Sequence, residues 1–384
     1  MHIAIMTDSY YPTRDGVVTS VDTTRHLLEA MGHKVTIIAP DPGDEKQREP
    51  GVYYFRAKKF KTYEGYFVPC YPAEPTAVIR KINPDVIHIH GVAFMALDAL
   101  MASHNTHIPT VLTYVTMVTD VIDQYSPIKL PKEMLVKLAS IWLRQLLKRP
   151  SAVIVPTPCI GREITGTLCA RPKRIAVIST GVDIDHFTRN DGGPAIRARY
   201  GIQNKRVLIT VGRLSFEKNV DLLIKAMGLM PADTVLIVCG KGPCSQDWQQ
   251  LAKDTGVDDR VIFAGFVRDD ELVSYYSCAD AMVSASVFET QGLTVLEAMS
   301  CGLPTACGNG RAFTDFVFEG ENGYLFNLSP EECAAAMERA LHAPDSVRKA
   351  ARATAEKYSI THTAEQLLAL YGEVIKAAGR EVHS

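Results

Sequence analysis

The fold of this chain is decided by the stretch Ala281-Met-Val-Ser-Ala-Ser-Val-Phe-Glu-Thr-Gln-Gly-Leu-Thr-Val-Leu-Glu-Ala-Met-Ser-Cys-Gly302. It begins with an apolar run of strand length, passes through a polar loop, and turns at Gly292 into an amphipathic helix that should begin near Leu293. A short buried strand, a glycine turn and a helix form the repeating unit of a parallel sheet covered on both faces. The stretch therefore predicts a doubly wound α/β domain.

The same unit repeats along the chain in two series. The first series contains the apolar runs Ile3 to Met6, Val35 to Ala39, Val86 to His90, Thr110 to Thr113, Val153 to Pro156 and Ile175 to Ile178. The second contains Val207 to Val211, Val235 to Cys239, Val261 to Phe263, Ala281 to Ser284 and Pro304 to Ala306. A turn-rich segment, Ser179 to Asp183, separates them, as expected of an interdomain connection. Two Rossmann-like domains in tandem are predicted.

The length of 384 residues also exceeds what one compact core usually holds. We expect an N-terminal domain over residues 1–180, a C-terminal domain over residues 181–360, and a final helix over residues 361–384 that packs back toward the first domain. Open α/β sheets bind ligands beyond the carboxyl ends of their strands, so two facing sheets would enclose a cleft. The chemistry is therefore sought in the loops that follow strands.

Composition narrows the class of protein. A net charge of −2 and 47% hydrophobic residues give no general attraction to nucleic acid or anionic lipid. The nine cysteines are scattered without a C-x-x-C pair, so neither a disulfide framework nor a zinc site is indicated, and a reducing cytoplasm fits best. No run approaches the roughly 20 apolar residues of a membrane-spanning helix, which restricts any membrane association to the surface.

Three loops carry candidate binding residues. Gly16, after the first strand, could admit a phosphate or sugar close to the backbone, although a plain tight turn would use the same glycine. After the strand that ends at Val211, Arg213 and Lys218 suit a diphosphate, the alternative being a solvated surface cluster. The loop with Gly240 and Gly242 does not contain the G-x-G-x-x-G pattern, which disfavours a dehydrogenase. Its glycines would either allow a flat ligand to approach the backbone or merely end a strand.

The helix that begins near Leu293 offers the strongest candidate. Its first N–H groups and its dipole favour an anion. Glu289 projects from the loop before it, and Glu297 lies about one turn inside the helix. Carboxylates there could accept hydrogen bonds from a ribose diol or from sugar hydroxyls, whereas the alternative for each is an exposed glutamate.

Taken together, these motifs resemble the retaining glycosyltransferases of family 4, which adopt the GT-B fold of two facing Rossmann-like domains. The resemblance covers essentially the whole chain. It is carried by the following motifs: Glu289 and Glu297 in E-x7-E, Gly212-Arg-Leu-x-x-Glu-Lys218, Gly240-x-Gly-Pro243, the Gly16 loop, and Thr180-Gly-Val-Asp183 ahead of Phe187. It implies a hexosyltransferase.

The resemblance also assigns roles. It implies that Arg213 and Lys218 hold the diphosphate of a UDP- or GDP-linked hexose, that Glu297 takes the ribose, and that Gly16 closes the site from the opposite domain. Glu289 and the backbone of Gly292, Leu293 and Thr294 would contact the donor sugar and phosphate. The loops around Gly240, Lys241, Phe266 and Val267 would meet the base. Family members need neither a cofactor nor a metal, and Asp183-Ile-Asp185, although a D-x-D match, lies in the hinge.

One position departs from the family pattern. Family members often carry a histidine near the donor sugar where this chain has Val115, which cannot hydrogen-bond or carry a proton. We therefore expect altered or weakened turnover, or a different donor geometry. His90, after a neighbouring strand, is a catalytic candidate together with Glu289, the alternative for His90 being a buried, hydrogen-bonded histidine.

Acceptor recognition has the weakest signal. The segment Thr116 to Asp120 resembles members that glycosylate diacylglycerol-type acceptors, which makes Asp120 an acceptor-side candidate. Between Lys129 and Arg149 a basic amphipathic helix carrying Trp142 could rest on anionic lipid, with Lys58 to Lys61 adding to a basic rim, or could simply pack on the first sheet. Together with the scattered cysteines, these features predict a cytoplasmic protein that could contact the membrane surface.

Two other classes of function fit the same donor pocket. One is a GT-B epimerase or hydrolase that acts on a nucleotide sugar without an acceptor. The other is a non-catalytic protein that binds the nucleotide sugar. Release of nucleotide only in the presence of an acceptor would separate transfer from both.

Overall fold

The computed structural model of the protein describes residues 1–12, 16–59, 67–69, 75–115 and 130–382. The chain divides into two compact units. The N-terminal unit contains residues 1–180 together with 360–384, and the C-terminal unit contains residues 181–359. Both units are Rossmann-like, with helices packed on parallel sheets, which confirms the predicted fold class.

The N-terminal unit is built on a seven-stranded parallel sheet in the order β3-β2-β1-β6-β7-β8-β9. Its strands, with the small antiparallel pair β4 and β5, are β1 (His2–Thr7), β2 (Lys34–Pro40), β3 (Val52–Phe55), β4 (Ala57–Lys59), β5 (Phe67–Pro69), β6 (Val86–His90), β7 (Thr110–Thr113), β8 (Ala152–Val155) and β9 (Ile175–Val177). Its early helices are α1 (Gly16–Ala30), α2 (Pro75–Ile82), α3 (Phe94–Thr106), α4 (Lys132–Leu147) and α5 (Pro158–Thr165).

The C-terminal unit has a six-stranded parallel sheet in the order β12-β11-β10-β13-β14-β15. The strands are β10 (Arg206–Val211), β11 (Thr234–Cys239), β12 (Val261–Gly265), β13 (Ala281–Ser284), β14 (Thr305–Gly308) and β15 (Gly323–Phe326). The helices are α6 (Gly193–Tyr200), α7 (Val220–Met227), α8 (Ser245–Asp254), α9 (Asp269–Cys278), α10 (Leu293–Ser300), α11 (Phe313–Phe316), α12 (Pro330–Leu341) and α13 (Asp345–Lys357). Two apolar clusters, one on each face of this sheet, form the core.

The last helix, α14 (Ile360–Ala377), belongs to the N-terminal unit. Its buried side chains, including Leu367 and Tyr371, pack with α1 and with the strands β1 and β8 in one core cluster. The helix begins at Ile360, one residue before the start predicted at residue 361, and ends at Ala377.

Strands predicted from apolar runs are present in both sheets, with ends that differ by one or two residues. The strands without a clear sequence signal are β3, β4, β5 and β15. β3 and β15 lie at sheet edges, and β4 and β5 form a pair of three residues each, so none of them needs a long, uninterrupted apolar run.

The strand order reverses beside β1 in the N-terminal unit and beside β10 in the C-terminal unit. At such a switch point, the loops after two neighbouring strands diverge and leave a crevice at the carboxyl edge of the sheet. In the C-terminal unit this crevice lies between the loops that follow β10 and β13.

Candidate functional site

The switch point of the C-terminal unit brings three predicted donor-binding residues together. Arg213 and Lys218 follow β10, and Glu289 follows β13, 71 residues after Lys218. All three line one pocket, which also contains Ser284 at the end of β13. The pocket combines two cations and a carboxylate, a set of groups suited to a phosphorylated sugar.

Lys218 and Glu289 form a direct ion pair across this pocket. Lys218 ends a short 3-10 turn, Phe216–Lys218, and both side chains remain partly accessible, with 29% and 21% exposure. The next residue, Asn219, donates from Nδ2 to the Ala285 carbonyl at 3.0 Å and so ties the two loops together. The ammonium group is therefore held at the pocket by its partner carboxylate and by the loop that carries it.

The start of α10 adjoins the same loop. Gly292 caps the helix with φ near +80°, a conformation that other residues adopt only with strain. A Cβ at this position would overlap the ring of Phe313, so the glycine is also required for packing. The first N–H groups of α10, at Leu293 and Thr294, have no helical acceptor and are available to an anion.

Glu297 lies one turn further along α10 and has a different environment from Glu289. Its Oε2 accepts a hydrogen bond of 2.8 Å from the hydroxyl of Tyr276 on α9. Burial raises the pKa of Glu297 to about 7, although the Tyr276 hydrogen bond acts in the opposite direction. The alternative of a fully exposed helix-start glutamate is therefore wrong for Glu297, and Tyr276 is a partner that the sequence did not reveal.

Comparison with known proteins gives matches over both units. The model described as "Glycosyltransferase Family 4" matches residues 14–186, and the model described as "Glycosyl transferases group 1" matches residues 194–358. Alpha-monoglucosyldiacylglycerol synthase of Acholeplasma laidlawii is 29% identical, over 86% of this chain and 86% of the relative. The synthase of the same name from Streptococcus pneumoniae is 28% identical, over 90% of this chain and 79% of the relative.

The chain belongs to glycosyltransferase family 4. It is a glycosyltransferase that moves a sugar from a nucleotide-sugar donor to an acceptor, and no cofactor is required. Among solved structures, sucrose-phosphate synthase of Thermosynechococcus elongatus superposes with a TM-score of 0.79 at 19% identity, covering 98% of this chain and 99% of that one. Anabaena HepE, solved with UDP and glucose, gives a TM-score of 0.76 at 18% identity, covering 97% and 99%. These neighbours support the GT-B fold.

The glycines in the loop after β11 of this glycosyltransferase are required because that loop packs closely against the loop after β10. A Cβ at Gly240 would overlap the Gly212 carbonyl, and one at Gly242 would overlap the backbone of Leu214. The two loops are also hydrogen-bonded, since Leu214 N–H donates to the Lys241 carbonyl at 3.0 Å. The close approach expected for a flat ligand is thus made by the neighbouring loop, which fixes the position of the segment carrying Arg213.

The remaining base-side candidates differ in accessibility. Lys241 is exposed, and Phe266, just after β12, is 61% exposed. The Val267 side chain is 9% exposed and belongs to the core. Of these two neighbours after β12, only Phe266 therefore presents its side chain to a ligand, whereas Val267 would contribute its backbone.

His90 is not the accessible group that the sequence suggested. It is 2% exposed and lines a cavity inside the N-terminal unit, next to Thr24 of α1 and Thr363 of α14. Burial lowers its pKa to about 3, so the imidazole is neutral. Neither ring nitrogen has a hydrogen-bond partner among the described residues. A buried, neutral imidazole does not favour the predicted catalytic role of His90, which stays a prediction.

Other N-terminal candidates are placed at the carboxyl edge of the first sheet. Gly16 is the first residue of α1, and Val115 is partly exposed just after β7. Asp120, the acceptor-side candidate, lies outside the described residues. Asp8, which the sequence did not single out, follows β1 and accepts hydrogen bonds from the N–H groups of Ala93 (2.9 Å) and Met95 (2.8 Å), next to the start of α3.

The D-x-D match serves a local purpose. The Asp183 carboxylate accepts from the N–H groups of Asp185 at 3.1 Å and His186 at 2.9 Å, so it shapes a turn. Within the described ranges, no three acidic, histidine or cysteine side chains are grouped as a metal would require. In that same part of the chain, each helix is too short or too polar to cross a bilayer.

Proposed function

We propose that this glycosyltransferase transfers a hexosyl group from a UDP- or GDP-linked donor to a hydroxyl of a glycolipid precursor, with retention of configuration and without a metal. The supporting observation is the pocket that joins Arg213, Lys218 and Glu289 beside the start of α10. Two fixed cations and a helix start supply the charge stabilisation that a divalent ion would otherwise give to a diphosphate.

In the proposed mechanism, Arg213, Lys218 and the N–H groups of Leu293 and Thr294 hold the diphosphate and stabilise the charge that develops as the bond from the anomeric carbon to the phosphate oxygen breaks. The acceptor oxygen bonds to the same face of that carbon, and its proton passes to the departing phosphate oxygen. Glu289 orients the sugar and Lys218. Glu297 accepts the ribose hydroxyls, so neither carboxylate acts as acid or base.

The names of two relatives favour a lipid acceptor, because both are called alpha-monoglucosyldiacylglycerol synthase. By this analogy we propose a diacylglycerol-type acceptor.

Helix α4 supports contact with a membrane surface. One face of the helix is buried through Leu135, Ala139, Leu143, Leu146 and Leu147. An adjoining face exposes Met134 (49%), Leu138 (53%), Ile141 (48%) and Trp142 (40%), and the lysines at positions 132 and 137 are exposed as well. An apolar stripe beside cations is the pattern by which a helix rests on anionic lipid. We therefore propose peripheral binding through this face, at the cytoplasmic side.

The donor part is tested by thermal unfolding with UDP, GDP and their hexose derivatives. A ligand that binds only the folded protein raises its stability by about 2.7 kcal/mol at one hundred times its dissociation constant. The transfer part is tested by nucleotide release with and without diacylglycerol. No thermal shift with any nucleotide would refute donor binding at this pocket. Nucleotide release that does not depend on an acceptor would favour an epimerase or hydrolase.

A further inference from the structure

Tyr276 holds the carboxylate that we assign to the donor ribose. The residue is fully buried on α9, and its hydroxyl lies 2.8 Å from Glu297 Oε2 and 3.2 Å from the Thr294 carbonyl in the first turn of α10. The ring packs edge-on against Phe187 at 6.0 Å between centroids and belongs to the core cluster of this unit. The hydroxyl therefore has a fixed position from which to contact α10.

We propose that Tyr276 is a positioning residue for donor binding, whose hydroxyl fixes Glu297 Oε2 and leaves Oε1 to accept from the ribose diol. This inference rests on the proposed function in placing the ribose at Glu297. A phenol has a single proton, and the shorter, charge-assisted bond to a carboxylate is the stronger of the two available contacts.

The electrostatic surroundings make this hydroxyl important. The pKa of Glu297 is raised to about 7, because burial outweighs the Tyr276 hydrogen bond, which lowers the pKa, and the Asp269 carboxylate adds a smaller increase. The pKa of Tyr276 itself is raised well above its usual range by burial, so its hydroxyl remains a donor. Glu297 would therefore change its charge near neutral pH. By lowering the pKa of Glu297, the Tyr276 hydroxyl extends the pH range over which the carboxylate stays ionised.

Other ionisable groups around this pair lie on four neighbouring segments: Cys239 on β11, Cys301 after α10, Arg352 on α13, and Arg189 and His186 in the segment before α6. Burial raises the pKa of Cys301 to about 12 and raises that of Cys239 as well, which keeps both thiols neutral. Arg352 donates to the Ser300 carbonyl at 2.6 Å, and the His186 ring meets the Asp269 carbonyl at 3.3 Å.

The sign of the expected effect follows from the acceptor role of Glu297. A protonated carboxyl accepts a diol poorly, so donor affinity should fall as pH decreases through the pKa of Glu297. Removing the Tyr276 hydroxyl removes a group that favours the ionised form and should raise this pKa. The variant should therefore lose affinity mainly at and below neutral pH and recover it in alkaline solution.

The test uses Tyr276→Phe, which keeps the ring. Dissociation constants for UDP and GDP are measured by calorimetry between pH 6 and 9 in the full-length chain, and the Glu297 carboxyl is titrated by carbon NMR in the free protein. We expect roughly tenfold weaker binding near pH 6.5, wild-type affinity near pH 9, and a higher Glu297 pKa. Ionisation of the nucleotide is the same for both chains, so their ratio reports on the protein.

Tyr275→Phe is the matched control, because Tyr275 is also buried on α9 but its hydroxyl contacts Tyr200 (2.9 Å) and Arg199 (3.2 Å). It should leave both readouts unchanged. Unaltered affinity in Tyr276→Phe, or a loss that is equal at every pH with an unshifted Glu297 titration, would overturn the inference. Failure of the unaltered chain to bind either nucleotide would overturn the proposed function and the donor role of Tyr276 with it, even where the NMR titration shows the coupling.

Discussion

Lys218 carries the charge that we expect to contribute most to holding the donor phosphates. In the free protein its ammonium is paired with Glu289 in the pocket beside β10. Replacing Lys218 with Met keeps much of the length and removes the charge, so we expect the dissociation constant for UDP or GDP to rise about 10- to 100-fold, as for a lost charge-assisted contact. Calorimetry at low and high salt measures this effect.

A lysine elsewhere in the same unit provides the control. Lys225 on α7 pairs with Asp221 at 2.9 Å across one helical turn and is 46% exposed. Lys225→Met should leave nucleotide affinity within about twofold, because an exposed ion pair of this kind contributes little. Equal affinities for the two variants would argue against a phosphate-binding role for Lys218.

We expect Val115 to affect the rate of sugar transfer rather than the affinity for the donor. Val115 is partly exposed just after β7, at the position where the resemblance to family 4 predicts a histidine. Val115→His should raise the rate of sugar transfer by at least about tenfold, since one positioned hydrogen-bond donor at a reacting centre commonly contributes about 10²- to 10³-fold, while donor affinity stays the same. Steady-state kinetics with a diacylglycerol acceptor provides the measurement, with Val115→Ala as control. A histidine variant that loses turnover would contradict the assignment, and one that binds donor without any turnover would favour a binding protein.

At the scale of the element, the start of α10 depends on Gly292. The glycine has φ near +80°, and a Cβ there would overlap Phe313. Gly302 follows the same helix with φ near +72° but has open space around it. Gly302→Ala should therefore cost only the left-handed strain of about 1–2 kcal/mol, whereas Gly292→Ala should cost about 1–3 kcal/mol more. Urea unfolding of the C-terminal unit measures both, and equal losses would show that the Phe313 contact has no effect.

Helix α4 gives the second prediction at this scale. Leu138 lies in the middle of its exposed apolar face and is 53% exposed. If this face rests on lipid, Leu138→Glu should lower the affinity for vesicles that contain phosphatidylglycerol by about tenfold or more, because burying a leucine contributes about 1.5–3 kcal/mol. Vesicle sedimentation measures the bound fraction.

An exposed leucine in the other unit controls for surface charge. Leu229, after α7, is 57% exposed, so Leu229→Glu adds the same charge away from α4. Its vesicle binding should match that of the unaltered chain. If Leu138→Glu also binds normally, the α4 face does not contact the membrane.

At the scale of the whole molecule, the chain returns to the N-terminal unit through its last helix, α14. Five of its larger side chains are buried in the core of that unit: Leu367, Leu370, Tyr371, Val374 and Ile375. At about 1.5–3 kcal/mol each, their burial is comparable to the 5–15 kcal/mol by which a domain is stable. A chain ending at Ser359 should therefore lose the cooperative unfolding of its N-terminal unit, while its C-terminal unit still unfolds cooperatively.

Scanning calorimetry resolves the two transitions. A chain ending at Gly379, just beyond α14, keeps the buried side chains and should unfold like the full-length protein. Two normal transitions in the chain ending at Ser359 would show that the N-terminal unit folds without α14.

The sequence by itself determined the strand and helix units and the number of domains. The central strands are buried on both faces, so each is a continuous apolar run that can be recognised locally, and the start of α10 at Leu293 follows from its glycine turn. The edge strands β3 and β15 were not predicted, because a strand at the edge of a sheet needs a shorter apolar run. The resemblance to family 4, which is carried by sequence motifs, implies the donor roles of Arg213, Lys218, Glu289 and Glu297.

Only the tertiary structure decided which groups share a site. Sheet order places the loop after β10 beside the loop after β13, so Lys218 meets Glu289 across 71 residues of sequence, and α9 brings Tyr276 to Glu297. Packing likewise enclosed His90 and used Gly240 for a contact between loops. Residue spacing indicates the periodicity of a single segment. These contacts depend on which segments become neighbours, and the order of the strands in the folded sheet decides that.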